Sequence, residues 1–205
     1  MLPSRRATIT LTLGVGVIAA VLTGGHWLAN RVAAVATPPH PASTGTAWAE
    51  TAWAETAWPF PMDEWGKGHA FHCGAAACGA DVSVYVRAKI GFCNCATGVD
   101  DDTELERLSD FGLMGGKVDA KAGGQPVTIG WMKGRSRAYG SAEGPASMLS
   151  VAFSNECDAL VATAMIDRPT RAEFEPRVID FLNSRPVLQW ARTTLGLAAD
   201  PAMSN

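Results

Sequence analysis

The chain has 205 residues, a formal net charge of −3 at pH 7, 47% hydrophobic residues, Gly 21, Pro 12 and Cys 5. The mild negative charge argues against nucleic acid as a partner, because nucleic-acid-binding proteins usually carry a basic patch or stripe. The glycine and proline content stays below the level that marks a chain disordered throughout.

Residues 1–6 carry Arg5 and Arg6, and the run from Ala7 to Gly25 has no charge. As a helix that run spans about 28 Å, close to the hydrocarbon thickness of a bilayer. Basic residues ahead of such a span keep residues 1–6 in the cytoplasm and send the downstream chain outward. The sequence therefore predicts a transmembrane or signal-anchor helix over 7–30, single-pass in a bacterial inner membrane, with the bulk of the chain periplasmic. His26, Trp27, Asn30 and Arg31 suit an interfacial flank, while Ala34-Val35-Ala36 offers the small-residue pattern of a cleaved signal peptide.

Residues 31–61 read as a linker rich in Pro, Ala and Trp. Pro38, Pro39 and Pro41 oppose a helix. TAWAE occurs at Thr46–Glu50 and Thr51–Glu55, and a truncated copy starts at Thr56. Its period of five fits neither a helix nor a strand face. Trp48, Trp53 and Trp58 are amphipathic rings that could dock on a membrane surface or a partner.

Residues 62–197 read as a single small α+β domain, and 198–205 as a disordered tail. Val82, Val84 and Val86 alternate with Ser83, Tyr85 and Arg87, the period of a strand, with continuation through Ile90 and Phe92. Acids from Asp100 to Glu104 precede a helix to about Phe111, and Asp101 with Glu104 fits a capping box. Gln125–Tyr139 reads as a strand or hairpin arm. Met148–Ser154 and Ala159–Ile166 read as strands joined through Asn155–Asp158. Arg171–Leu182 has helical spacing, and Pro186 suits the first turn of a final helix. Strands first and helices last give an antiparallel sheet with C-terminal helices.

The block Tyr85–Arg107, YVRAKIGFCNCATGVDDDTELER, resembles a segment of uncharacterised membrane-anchored periplasmic proteins of alphaproteobacteria, over about Trp58 to Leu197. The resemblance implies a membrane anchor and export, and no activity.

Outside the cytosol, cysteines in a small domain read as disulfides; inside it, as metal or redox groups. The disulfide candidates are Cys73, Cys78, Cys93, Cys95 and Cys157. Cys73 and Cys78 bracket a loop short enough to close, and one of Cys93 or Cys95 pairs with Cys157, leaving one thiol over. An alternative is a copper or zinc site drawing on His69, His72, Cys73, Cys78, Cys93 and Cys95. A second alternative is a thiol-disulfide oxidoreductase. Without the metal site, no cofactor is expected.

Other motif matches fail. Asp110-Phe111-Gly112 lacks the rest of a kinase, and Gly112–Lys117 is one residue short of a phosphate loop. Asp100–Glu106 has Leu105 where a calcium loop needs glycine. Trp131, Lys133, Arg135, Arg137 and Tyr139 share one strand parity and would form a basic, aromatic-edged face. The sequence thus predicts a membrane-tethered, disulfide-stapled interaction domain with no catalytic residues, bound to the inner membrane and to another membrane or periplasmic protein.

Overall fold

The computed structural model describes residues 52–114, 117–141, 147–167 and 174–198. The expected anchor at 7–30, the linker up to residue 51 and most of the tail lie outside the described residues. Among the described residues no helix is long and apolar enough to cross a membrane.

In chain order the elements are β1 (Ala54–Thr56), β2 (His69–Cys73), α1 (Ala75–Cys78), β3 (Val82–Lys89), α2 (Asp102–Leu108), β4 (Val118–Ala120), β5 (Gln125–Ile129), β6 (Met132–Ser141), β7 (Ser147–Asn155), β8 (Asp158–Ile166), α3 (Phe174–Leu182) and α4 (Arg185–Thr194). The strands form an eight-stranded antiparallel sheet in the order β1-β2-β3-β8-β7-β6-β4, and β5 also pairs with β6. The domain is α+β with helices at its C-terminal end.

Period-two alternation sorts every central strand between two faces. Val84, Val151, Phe153, Leu160 and Ala162 point one way and pack against Val178, Phe181, Leu182 and Val187 of α3 and α4. Ser136, on the same face, donates from its hydroxyl to Glu175 Oε1 at 2.5 Å and ties β6 to α3. On the opposite face, Val161, Ala152 and Ala159 pack against Leu105 and Leu108 of α2, with Val99 and Cys93 beside them.

Local chemistry sets several boundaries. Asp101 caps α2 by accepting from Glu104 N–H at 2.7 Å. The Glu104 carboxylate turns instead to Arg107 and to Asn94 N–H. Pro186 lies in the first turn of α4, where a missing N–H costs no helix bond. The expected extension of β3 through Ile90 and Phe92 does not occur: the strand stops at Lys89, Gly91 takes φ +68°, and Ile90 is half-exposed. The single arm expected over Gln125–Tyr139 is a hairpin, β5 and β6 around Gly130-Trp131, with Gly130 at φ +57°. Residues 54–56, placed in the linker by the repeat, form the edge strand β1, in register with Ala70–His72 of β2.

The β5 edge is blunted against further strand pairing. Pro126 has no N–H to offer, and Asn183 occupies the turn by accepting from Gly130 N–H at 2.7 Å and donating to the Thr128 carbonyl.

Candidate functional site

The cysteines separate into two pairs and a single thiol. Cys73, ending β2, lies at disulfide distance from Cys78 in α1, with Cα atoms 6.0 Å apart. Cys95, in the loop after β3, lies at disulfide distance from Cys157 in the β7–β8 turn, with Cα atoms 4.2 Å apart. Cys93 is free and buried. Its thiol donates to the Glu156 carbonyl at 3.1 Å, and its backbone N–H donates to the Cys157 carbonyl. Burial, foremost, and the neighbouring Glu104 carboxylate push the Cys93 thiol up. On a strand, both side chains of the C-x-C would share one face. The motif lies in a loop instead, so Cys93 turns into the core and Cys95 outward.

The two histidines do not join the cysteines. They are three residues apart on β2, so their side chains leave opposite faces. His69 Nδ1 lies 2.6 Å from Glu55 Oε1, and His72 Nε2 lies 3.8 Å from Asp81 Oδ1. The six candidate metal ligands are therefore dispersed. Among the described residues no group of three or more His, Cys, Asp or Glu side chains is placed to hold a metal.

The face under α2 holds an ion cluster that local sequence pattern does not reveal. Arg87, Lys89 and Asp110 are only 2%, 5% and 6% exposed. Arg87 donates from Nε and Nη2 to both Asp110 oxygens at 2.7 and 2.5 Å, and from Nη1 to Asp63 at 2.7 and 2.9 Å. Lys89 Nζ adds a 3.0 Å contact to Asp110 and donates to the Leu108 carbonyl. Two-pronged guanidinium–carboxylate pairing of this kind is strong and directional. Burial lowers the Arg87 guanidinium, but the bonds to Asp110 and Asp63 outweigh it and hold the group above its ordinary value. Arg87 in turn holds the Asp63 carboxyl below its ordinary value. The one signal in the sequence is the pair of cations, Arg87 and Lys89, on a strand whose other positions are largely apolar.

Next to this cluster, the basic stripe of β6 is largely neutralised. Arg135 pairs with Asp102, and Arg137 reaches Glu106 at 2.6 Å, so α2 lays its acids over the stripe. Gly124 N–H, first, and Arg135 hold the Asp102 carboxyl down. Burial pushes the Tyr139 hydroxyl up to about 12, so it stays protonated and offers no base near neutral pH. Lys133 is exposed and makes no ion pair among the described residues. It borders an open groove of about 470 Å³ whose walls include Thr97, Val99, Asp100, Pro126 and Thr128. The groove presents hydroxyls, one cation, one carboxylate and apolar side chains.

No known protein-family model matches the chain, and no curated protein is significantly similar to it.

Proposed function

We propose that this chain is a membrane-tethered interaction protein without enzymatic activity. The segment 7–30 anchors it in a bacterial inner membrane, and the sheet domain sits in the periplasm, as the resemblance of Tyr85–Arg107 to membrane-anchored alphaproteobacterial proteins implies. Its groove beside Lys133 meets another membrane or periplasmic protein. The observation that carries the reading is the placement of Cys73 with Cys78 and Cys95 with Cys157 at disulfide distance. Two such pairs suit an oxidising compartment and would reduce in the cytosol. The buried, raised Cys93 thiol weighs against a thiol oxidoreductase, whose attacking cysteine needs thiolate character and access. The dispersed His69 and His72 weigh against the copper or zinc alternative.

The test uses the full chain with a C-terminal reporter active only outside the cytosol, together with alkylation before and after reduction. The expected result is an active reporter and a single cysteine, Cys93, alkylated in the unfolded, unreduced protein. An inactive reporter with every cysteine alkylated without reduction would overturn it.

A further inference from the structure

The edge slot beside β2 is filled by a sequence that the chain carries twice. Thr51–Trp58 reads TAWAETAW, and Thr46–Trp53 reads the same eight residues, offset by five. The contacts that seat the downstream copy are side-chain specific. The Trp53 ring stacks on Phe181 at 4.0 Å, and Phe71 meets the Phe181 ring edge-on at 5.1 Å. Glu55 reaches His69 Nδ1 at 2.6 Å, and the Thr56 hydroxyl donates to the Ala70 carbonyl. Farther along, Trp58 packs edge-on against Tyr85. A shift of five residues supplies an identical partner for each contact: Trp48 for Trp53, Glu50 for Glu55, Thr51 for Thr56 and Trp53 for Trp58.

We infer that the slot on β2 and Phe181 accepts either copy of the octapeptide from the same chain, so that the edge strand exchanges between two registers. The energetic difference between them is small. The octapeptide seats the same side chains in both, so only the Phe60 contacts with Tyr85 and Trp58 are not reproduced by the shift; the β1 residues are exposed, and β1 contributes only three strand residues. The shift passes five residues into the loop before β2, and loop-closure cost rises only slowly with length. Asp63, bonded to Arg87 and Trp65 N–H, keeps the far end of that loop in place in both registers. A strand pattern of odd period would normally forbid a slip, because an odd shift turns every side chain to the other face. Here the sequence repeats with the shift itself, so each face receives the same residues. The consequence is a lead into the domain whose length changes by five residues, about 17 Å when extended, without loss of the edge strand. This holds whatever the N-terminal segment anchors to, so it stands or falls apart from the proposed function.

The experiment uses the full chain with engineered cysteine pairs at directly opposed positions, Thr56→Cys with Ala70→Cys and Thr51→Cys with Ala70→Cys, mapped by mass spectrometry after mild oxidation. Thr56 faces Ala70 in the described register. The exchange requires that both pairs cross-link within one molecule, with yields within about tenfold of each other. Cross-linking of the Thr56 pair alone overturns the exchange, and a Thr51 cross-link between two molecules overturns the same-chain occupant. Thermal melting of Trp48→Ala, Trp58→Ala and the double variant gives an independent readout, because Trp48 is seated only in the shifted register and Trp58 only in the described one. Each single change should lower Tm slightly and the double change by far more than their sum. A Trp58→Ala loss equal to that of the double variant refutes the inference even if neither cysteine pair forms.

Discussion

On the face of the sheet under α3 and α4, the side chains are almost all apolar, and Ser136 is the fully buried polar strand residue there among the described residues, satisfied by Glu175. On the face under α2, aliphatic residues give way to Arg87, Lys89, Asp110 and Ser150, all buried. The first face is held by area removed from water and by close packing, which tolerate exchange among apolar residues of similar volume. The second is held by matched charges and hydrogen bonds, where losing one partner leaves the others buried and unpaired. The two helix-covered faces of one sheet thus fail in different ways.

The largest effects should come from breaking each face at its centre. Asp110→Ala leaves Arg87 and Lys89 short of their shared carboxylate and should cost about 3–5 kcal/mol in denaturant unfolding. Phe153→Ala, on a fully buried side chain, should cost a similar 3–5 kcal/mol through its cavity. The two are told apart by compensation: replacing Arg87, Lys89 and Asp110 together with apolar residues of matched volume should recover much of the first loss. If the triple variant is no more stable than Asp110→Ala alone, the electrostatic account of that face fails.

Removing the disulfides ranks next. Cys95 and Cys157 are separated by 62 residues and Cys73 and Cys78 by 5. Chain entropy alone assigns about 4 kcal/mol to the long closure and about 2 kcal/mol to the short one. Serine replacement of each pair, compared by denaturant midpoint, should keep that order. A smaller effect is expected at the cap of α2: Asp101→Ala should cost about 1 kcal/mol, measured as a shift in Tm.

Acid sharpens the comparison further. Asp63, Asp102 and Glu104 are held below ordinary values of 3.8, 3.8 and 4.5, chiefly by Arg87, by Gly124 N–H and by Arg107 respectively. A depressed folded value means the stabilisation is complete above the ordinary carboxylate range. It is lost as pH falls through that range to the folded values. All three lie in α2 or in loops on its side of the sheet, so α2 and residues 58–66 should lose amide protection, measured against the intrinsic exchange rate at each pH, below about pH 4.5 before α3 and α4 do. Simultaneous loss of protection across the domain would show that the two faces unfold as one unit.

Much of the fold is legible in the sequence because it rests on local periodicity. The alternation at Val82–Arg87, the paired strands around Asn155–Asp158, the cap at Asp101 and the proline at the start of α4 are chemistry within a few residues of one another. The features that local pattern misses have long-range causes. Ala54–Thr56 carries no strand signal and becomes β1 because β2 offers it an open edge and Phe181 offers Trp53 a stacking partner. The basic stripe at Arg135 and Arg137 reads as a free surface until α2 places Asp102 and Glu106 over it.

By itself, the sequence determined the α+β class, the two-faced strands and the short cysteine-bracketed loop at Cys73–Cys78, because those follow from side-chain period and chain reach. Only the tertiary structure decided that Cys95 and not Cys93 stands beside Cys157, that His69 and His72 part to opposite faces, and that Asp110 is the hub of a buried ion cluster. Each of those depends on which segments meet across the sheet. Strand register sets such meetings over tens of residues, beyond the span that local pattern can report.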